Sequence, residues 1–244
     1  MIDNIIRMTN NSFFNPRALI TDVDGTITNK ERRLNLDSVS VIRTLVDNGI
    51  PVVLASGNTE CSLTFLCKMI GTDGTIVAEN GGLYKIKYEG ERKICSDRAV
   101  CLEAYEKISR YYEEKGIELQ LYSPEYRFAD IAFARTINPA EVREIVSDMP
   151  VKILDSGFAI HIQSGDVNKG TTLALVAEEM GIPLENFVAV GDSDNDREML
   201  QAAGLGIAVA GGQNGAVEVA DRVSMKKYGD GFSEIIREVF SSFF

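Results

Sequence analysis

Two aspartates stand two positions apart directly behind a short apolar run. The run Ala18-Leu19-Ile20 leads to Asp22 and Asp24, so a buried strand would deliver both carboxylates at its carboxyl end. Crowded carboxylates repel one another and lose hydration unless a cation or a proton compensates them. Magnesium prefers oxygen ligands of this kind. The pattern therefore predicts a Mg²⁺ site beside a carboxylate that reacts.

The spacing of the pair suggests a separate task for each acid. Asp22 is the expected nucleophile, because a carboxylate can attack phosphorus and form an aspartyl-phosphate. Asp24 is the expected general acid and base, which protonates the leaving oxygen and later accepts a proton from water. Gly25 permits a tight backbone turn, and Thr26 can donate a hydrogen bond to a neighbouring aspartate. The alternative is an ordinary Asp-Gly turn with incidental acids.

A second acidic segment, Gly191-Asp192-Ser193-Asp194-Asn195-Asp196, follows the apolar run at 187–190. Oxygen ligands at this density suit Mg²⁺, although a cluster of helix-capping aspartates is the alternative. Asp194 is expected to face water, and Asn195 to contact the phosphate or a metal ligand. The predicted metal ligands are Asp22, Asp24, Asp192 and Asp196.

Three further residues are candidates for binding a phosphoryl group. Ser56 can donate its hydroxyl and Gly57 permits close backbone approach, although Ser-Gly-Asn is also an ordinary helix-capping turn. Lys169 stands at a predicted helix start, where the helix dipole disfavours a cation unless a bound anion offsets it. A solvated surface lysine is the alternative. The predicted substrate-binding residues are Ser56, Gly57, Lys169 and Asn195.

The elements that position these residues predict an α/β fold with a Rossmann-like parallel sheet. Turns that follow parallel strands lie at one edge of the sheet, so Asp22, Ser56 and Asp192 should converge there. Helices that begin near Asn58 and Lys169 would aim free N–H groups at the same edge. Strands are expected at 18–23, 51–55, 75–78, 187–190 and 205–210, and helices from an N-cap at Asp37 to Gly49, from 58 to 71, and at 170–180, 196–202 and 231–240.

After Asn80-Gly81-Gly82 the pattern changes to alternating, antiparallel-looking segments. Residues 83–163 are therefore expected to form a smaller inserted α+β module that covers a core domain built from 1–82 and 164–244. Asn138-Pro139-Ala140-Glu141 is typical of a helix start. The module is expected to contain helices at 98–114 and 139–148 and strands at 83–88, 92–95, 117–122, 129–135, 151–155 and 158–163.

Composition limits the partners of this 244-residue chain. Its 45% hydrophobic and 25% charged residues are typical of a globular protein, and its net charge of −11 argues against nucleic acid or an anionic membrane as partner. Residues 1–15 are polar and are expected to form a loose arm without a signal-peptide core. The expected location is cytoplasmic, and the oligomeric state, monomer or homodimer, stays open. The cysteines, expected to be buried free thiols in a reducing compartment, are Cys61, Cys67, Cys95 and Cys101.

The inserted module contributes one histidine and two arginines that could lie over a site at the sheet edge. His161 lies in an alternating strand and is expected to be structural. Arg127 and Arg135 could bind a substrate carboxylate, but a solvated role is expected for each.

The motifs together resemble one known group of enzymes. Asp22-x-Asp24-x-Thr26, Ser56, Lys169 and Asp192-x-x-x-Asp196, in this order, resemble the haloacid dehalogenase superfamily of phosphatases, and the insertion resembles its larger α/β (C2-type) cap. Ser56-Gly57-Asn58 and Glu79-Asn80-Gly81-Gly82 are similar to the archaeal-type phosphoglycolate phosphatases. The resemblance implies Mg²⁺-dependent hydrolysis of a small phosphorylated metabolite, 2-phosphoglycolate, to glycolate and phosphate.

Other functions share these motifs. A sugar-phosphate phosphatase differs in substrate, and many members of that branch carry Arg where Asn58 stands here. A phosphotransferase or phosphomutase differs only in the acceptor of the phosphoryl group. A receiver-type signalling domain is a non-enzymatic alternative, but it lacks an inserted module, and an acid two residues after the nucleophile would shorten the life of the phosphorylated state.

Overall fold

The computed structural model describes residues 15–244, so almost all of the predicted polar arm at 1–15 lies outside the described residues. In chain order the strands and helices are β1 (Ala18–Asp22), α1 (Leu36–Asp47), β2 (Val52–Ala55), α2 (Glu60–Ile70), β3 (Ile76–Ala78), β4 (Leu83–Lys85), β5 (Lys93–Ile94), α3 (Arg98–Glu113), β6 (Ile131–Ala134), α4 (Pro139–Ile145), β7 (Val151–Asp155), β8 (Ala159–Ser164), α5 (Lys169–Met180), β9 (Phe187–Gly191), α6 (Arg197–Ala202), β10 (Leu205–Ala210), α7 (Asn214–Val219), β11 (Arg222–Lys227) and α8 (Tyr228–Val239).

The larger part of the structure is an eight-stranded sheet in the order β11-β10-β9-β1-β2-β3-β4-β5. Strands β1, β2, β3, β9, β10 and β11 pair in parallel, whereas β4 and β5 are antiparallel at one edge. Strand β1 lies between β9 and β2, so the chain crosses from one half of the sheet to the other at β1. The predicted α/β class with a parallel core sheet is confirmed.

Helices cover both faces of this sheet, which explains why its central strands are apolar throughout. All five residues of β1 are buried. Leu19 packs in the layer formed by α1, α2 and α8, and Ile20 packs in the layer formed by α5, α6 and α7. A parallel strand between two helical layers has no solvent-facing side, so it shows no polar alternation.

The ends of the helices follow local rules that the sequence partly reveals. Asn138 caps α4 as predicted, and its side chain accepts a hydrogen bond from the amide of Ala140. The predicted N-cap of α1 at Asp37 is wrong. Asn35 is the N-cap, because its side chain accepts from the amide of Ser38 at 3.0 Å. Asp37 lies in the first turn and forms an ion pair with Arg237.

A smaller unit contains the antiparallel sheet β6-β8-β7 and the helices α3 and α4. We call it the small unit. Its core is separate from the two helical layers of the large sheet and includes Ile108, Phe133, Val142, Ile153 and Ile160. This is the α+β composition that the alternating pattern predicts.

The edges of the inserted module differ from the prediction. Strands β4 and β5, which we expected to belong to the module, extend the large sheet instead. An alternating strand indicates antiparallel pairing but does not identify its partner, and antiparallel strands often close the edge of a parallel sheet. The predicted strand at 117–122 is absent from the described residues except for one bridge between Leu121 and Phe133.

Two elements near the carboxyl end were not predicted, α7 and β11. The first has six residues and the second is exposed at the sheet edge, so neither carries a clear apolar period. All four cysteines are free, but only Cys67 and Cys101 are buried, whereas Cys61 is exposed and Cys95 is half-buried. The expectation that all four are buried is therefore wrong. No helix within residues 15–244 is both long and apolar enough to cross a membrane.

Candidate active site

Three neighbouring parallel strands end at the same edge of the large sheet. Asp22 is the last residue of β1, Ser56 follows β2, and Asp192 follows β9. Because β1 pairs in parallel with both β2 and β9, these three residues lie side by side at the carboxyl ends. The sheet topology therefore brings together the segments that the sequence analysis singled out.

Three of the acids form a compact cluster. Carboxylate oxygens of Asp22, Asp192 and Asp196 lie within 4.8 Å of one another. Asp196 is fully buried, and its Oδ2 accepts from the amides of Asp192 at 3.1 Å and Ser193 at 3.0 Å. The turn that follows β9 thus fixes Asp196 through its own backbone. The cluster has the oxygen chemistry that a divalent cation requires.

Lys169 is the cation that faces this cluster. Its Nζ donates to Oδ1 of Asp22 at 2.6 Å and to Oδ1 of Asp196 at 2.7 Å, and the side chain has no solvent exposure. Burial lowers the pKa of Lys169, but the two carboxylates outweigh burial and raise it above its ordinary value. Lys169 is therefore charged. The alternative of a solvated surface lysine is wrong, because the first residue of α5 points into the protein.

Burial and mutual repulsion affect the acids themselves. The pKa of Asp22 is raised well above its ordinary value by burial and by the charges of Asp196 and Asp192, against the opposing effect of Lys169. Burial and the charge of Asp196 raise the pKa of Asp192 to about 7. Three carboxylates face one ammonium, so further positive charge would stabilise their ionised forms.

Asp24 lies apart from the acidic cluster. Its Oδ1 accepts from Nε of Arg32 at 3.0 Å, and its Oδ2 accepts from Nδ2 of Asn58 at 3.1 Å. Among the described residues, the three-acid cluster does not include Asp24, which the sequence analysis also predicted as a metal ligand. Its carboxylate is instead held by donors from two different loops.

Gly25 and Thr26 connect the turn after β1 with Asp192. Gly25 has a φ of +88°, and a Cβ at this position would lie 2.3 Å from Oδ2 of Asp192. The position therefore requires glycine both for its conformation and for space. Thr26 donates its hydroxyl to Oδ1 of Asp192 at 3.3 Å, which agrees with the predicted hydrogen bond to an aspartate.

The loop after β2 is connected to the turn after β9 by asparagines. Asn58 donates through Nδ2 to Oγ of Ser56 at 3.0 Å as well as to Asp24. Asn195 donates through Nδ2 to Oδ1 of Asn80 at 2.9 Å. A Cβ on Gly57 would meet the Asn80 amide at 2.9 Å, so Gly57 permits this close contact. Asp194 is exposed, as predicted.

A cavity of about 670 Å³ opens over these residues. Asp22, Asp24, Ser56 and Asn195 line its floor, and Arg127 and His161 from the small unit's side line its wall. The expectation that Arg127 is solvated is wrong, because its side chain is 7% exposed. Arg135, by contrast, is exposed and pairs with Asp155.

Comparison with known proteins places the chain in a family. The sequence model of the haloacid dehalogenase-like hydrolase family matches residues 19–145 and 140–236 of this chain. The chain belongs to the haloacid dehalogenase-like hydrolase family. It is therefore a hydrolase, and the predicted superfamily is confirmed. The match over nearly the whole chain also disfavours a receiver-type signalling domain.

Curated relatives resemble this haloacid dehalogenase-like hydrolase over almost their full length. A protein of Methanoculleus marisnigri named phosphoglycolate phosphatase is 53% identical over 93% of this chain and 98% of its own. A protein of the same name from Methanospirillum hungatei is 46% identical over 92% of this chain and 97% of its own.

Solved structures of other proteins share the fold. A crystal structure of a Thermoplasma acidophilum protein superimposes with a TM-score of 0.81 at 24% identity, and covers 92% of this chain and 98% of its own. A haloacid dehalogenase-like hydrolase of Bacillus subtilis has a TM-score of 0.76 at 18% identity over 92% and 100%.

Sequence reasoning assigned no role to Asn80, Arg32 and Asp130 of this hydrolase, and it considered Arg127 as a carboxylate ligand but expected it to be solvated. Asn80 follows β3, so the rule that parallel strands end at one edge could have identified it, as it did Asp22 and Asp192. Arg32 carries no such signal, because it lies in a loop between β1 and α1. Arg127 and Asp130 reach the site from a segment that follows no strand of the large sheet.

Proposed function

We propose that this protein hydrolyses 2-phosphoglycolate to glycolate and phosphate, by way of a phosphoryl group carried on Asp22. The observation that carries this proposal is the meeting of Asp22 with Lys169, Asp192 and Asp196 beneath one cavity, which Asp22 and Asp192 line. The identity of the substrate rests on the relatives that are named phosphoglycolate phosphatase at 53% and 46% identity.

The donor set fits a divalent metal ion, which we propose to be Mg²⁺. Three carboxylates face a single ammonium, and the missing side chain of Gly25 leaves room beside Asp192. The ligands would be Asp22, Asp192 and Asp196, whose carboxylate oxygens lie within 4.8 Å of one another, whereas Asp24 is not part of this cluster. When bound, the ion supplies positive charge that offsets the carboxylates and the phosphate.

The two aspartates of the first motif divide the proton and phosphoryl transfers between them. An oxygen of Asp22 attacks phosphorus, and the bond between phosphorus and the glycolate oxygen breaks while Asp24 gives that oxygen its proton. Water then attacks the phosphorus of the aspartyl-phosphate, and Asp24 takes up a proton of that water. The products are phosphate and the regenerated Asp22 carboxylate.

Residues around the cavity floor bind the phosphoryl oxygens. The hydroxyl of Ser56 and the backbone at Gly57 lie beside Asn58, which contacts Asp24. Lys169 stabilises the negative charge that develops on the transferred group, because it is charged and excluded from water. Asn195 lines the same cavity, is held by Asn80 and completes the binding site.

The small unit acts as a cap in this proposal. Phe158, Ala159 and His161 belong to the small unit and line the same cavity as Asp22. A cover of this kind excludes bulk water from the reacting groups. In this proposal the large sheet, with β4 and β5, belongs to a core domain, and the small unit is an inserted cap.

A cytoplasmic location stays a prediction, which the free thiols favour.

Phosphate release from a panel of phosphomonoesters tests the substrate. The panel contains 2-phosphoglycolate, other phosphorylated small acids, sugar phosphates and p-nitrophenyl phosphate, each with Mg²⁺ and after chelation of metal. We expect the highest kcat/KM for 2-phosphoglycolate and loss of turnover on chelation. Equal rates across the panel, or a preference for a sugar phosphate, would contradict the substrate. A parallel assay with added alcohols as acceptors distinguishes hydrolysis from phosphoryl transfer.

A further inference from the structure

A buried cation that the phosphate chemistry does not use lies in the wall of the cavity. Nε of Arg127 donates to the carbonyl of Tyr122 at 3.1 Å. Its Nη1 donates to the carbonyl of Gly57 at 3.2 Å and to Oδ1 of Asp130 at 2.7 Å. Three hydrogen bonds thus fix the guanidinium in one orientation before any substrate arrives. Burial of a charged guanidinium costs free energy unless the group is paired and hydrogen-bonded.

Asp130 is the partner that stabilises this buried cation. Its side chain has no solvent exposure, and its second oxygen lies 2.9 Å from Nδ1 of His161. Burial raises the pKa of Asp130, but His161 and Arg127 together lower it below its ordinary value. Asp130 is therefore ionised, and it holds Arg127 with one oxygen and His161 with the other.

Two nitrogen atoms of this group remain without a protein partner in the part of the chain that the structure describes. They are Nη2 of Arg127 and Nε2 of His161. Both residues line the cavity that contains Asp22, Asp24 and Ser56. Nη2 of an arginine carries two N–H donors, and a guanidinium binds carboxylates through parallel hydrogen bonds. Nε2 of His161 donates in the imidazolium form, in which both ring nitrogens carry a proton and Nδ1 donates to Asp130. In that form the group presents fixed N–H donors to an anion in the cavity.

The position of the group matches a very short substrate. Gly57, whose carbonyl accepts from Arg127, lies between Ser56 and Asn58. Asn58 contacts both Ser56 and Asp24. The guanidinium is therefore anchored within one residue of the proposed phosphate contacts. In 2-phosphoglycolate a single methylene group separates the ester oxygen from the carboxylate, so a group that binds the carboxylate must adjoin the phosphate site.

We propose that Arg127 and His161 bind the carboxylate of the substrate and thereby select a phosphorylated acid, with Asp130 as the residue that positions them. This inference rests on the proposed function and extends it to the residues that determine specificity. A phosphate ester of the same length without a carboxylate leaves Nη2 of Arg127 without an anionic acceptor, and a site built to bind one polar group discriminates strongly against a substrate that lacks it.

The other arginine at the cavity is less suited to this task. Arg32 donates to Asp24 at 3.0 Å, and its guanidinium carbon lies 4.1 Å from the ring centroid of Phe158 in the small unit. Its side chain is 46% exposed. Arg32 therefore connects the loop after β1 with the small unit across the cavity mouth. Its exposed guanidinium is hydrated and screened, so it contributes less to binding a carboxylate than a buried one.

A pair of substrates of equal length tests the proposal on the intact protein. The pair is 2-phosphoglycolate and 2-hydroxyethyl phosphate, in which a hydroxymethyl group replaces the carboxylate. In Arg127→Lys we expect kcat/KM for 2-phosphoglycolate to fall about 10- to 100-fold, mainly through KM, with a much smaller fall for the neutral ester. Arg135→Lys, on an exposed arginine paired with Asp155, is the matched control and should keep the wild-type ratio.

Two substitutions of His161 keep the test informative if Arg127→Lys does not fold. His161→Asn keeps a donor near the position of Nδ1 for Asp130 and removes Nε2, so it should lower the ratio of the two kcat/KM values. His161→Gln places its amide near Nε2 and should retain more of that ratio.

The outcomes separate this inference from the proposed function. A wild-type enzyme that does not prefer 2-phosphoglycolate to the neutral ester contradicts the proposed function and this inference with it. A wild-type preference that persists in both Arg127→Lys and His161→Asn overturns only the inference. If kcat/KM of Arg127→Lys falls equally for both substrates, the inference is also overturned, because Arg127 then acts only by holding the loop at Gly57.

Discussion

Nζ of Lys169 lies 2.6 Å from Oδ1 of Asp22, although 147 positions separate the two residues in the chain. The contact exists because α5 begins at the edge of the sheet where β1 ends. It places a water-excluded positive charge against the proposed nucleophile, and a second bond to Asp196 connects the same charge to the acidic cluster.

Replacement of Lys169 by methionine should impair both the fold and the reaction. The variant leaves Asp22 and Asp196 buried without their cation, and removal of one partner of a buried ion pair costs about 3–5 kcal/mol. We expect a comparable fall in the free energy of unfolding, measured with urea in the absence of metal. We also expect kcat to fall at least ~100-fold, because one stabilising donor is lost.

The control for Lys169→Met is Lys68→Met, which removes an exposed lysine from the last turn of α2. It should change stability by less than about 0.5 kcal/mol. A Lys169→Met protein that is as stable and as active as Lys68→Met would show that the buried ammonium has neither role.

Gly25→Ala should disturb the acidic cluster without removing any acid. The new Cβ would meet Oδ2 of Asp192 at 2.3 Å, and the residue has a φ of +88°. Gly49→Ala is the control for the cost of the positive φ alone, because φ is +79° at Gly49 and no atom lies within 4 Å of the Cβ that alanine would add. We expect Gly49→Ala to cost about 1–2 kcal/mol with normal activity.

Gly25→Ala should cost more than its control and should raise the concentration of Mg²⁺ needed for half-maximal turnover. Urea unfolding and metal titration of activity measure the two effects. Equal stability losses together with unchanged metal dependence would contradict the contact between this turn and Asp192.

Glu79 should make stability depend on pH. It is fully buried, and its Oε2 accepts from the amides of Phe128, Ala129 and Asp130 at 3.1, 2.8 and 3.0 Å. These bonds connect the end of β3 with the segment that leads into β6. Burial and the nearby charge of Asp130 raise the pKa of Glu79 from 4.5 to about 7, although the three amides oppose this shift.

The sign of the pH effect follows from this raised pKa. Between pH 4.5 and about 7 the folded protein holds a proton that the unfolded chain has released. The contribution of Glu79 to stability is therefore greatest below pH 4.5 and is lost as pH rises through 7, by about 3 kcal/mol. In Glu79→Gln the fall in the free energy of unfolding between pH 4.5 and 7 should be smaller by this amount. Glu91→Gln, which alters an exposed glutamate, should keep the wild-type fall. If the free energies of unfolding of the wild type and Glu79→Gln change in parallel with pH across this range, the raised pKa of Glu79 is disproved.

The parts of the site that the sequence could predict are those fixed by the sheet. Asp22, Ser56 and Asp192 each follow an apolar strand, and parallel strands end at one edge, so their convergence needs no knowledge of the strand order. Lys169 was identifiable because a lysine at a helix start is unfavourable unless an anion compensates it. Local chemistry and sheet geometry together therefore predict the floor of the cavity.

The wall of the cavity could not be predicted in the same way. Arg127 and Asp130 belong to a segment that precedes β6, and their position depends on how Glu79 holds the amides of that segment. Contacts of this kind between distant loops leave no period in the sequence. The pairing of β4 with β3 is similar, because alternation indicates a strand but not its neighbour.

The identity of the nucleophile is the central claim, and phosphate release by Asp22→Asn tests it most directly. Purified wild type, Asp22→Asn and Asp47→Asn, which alters an exposed acid at the end of α1, are compared with 2-phosphoglycolate and Mg²⁺. We predict turnover in wild type and Asp47→Asn and none in Asp22→Asn, with acid-quenched wild-type protein carrying a phosphoryl group on the peptide that contains Asp22. Turnover that persists in a folded Asp22→Asn protein would contradict the account.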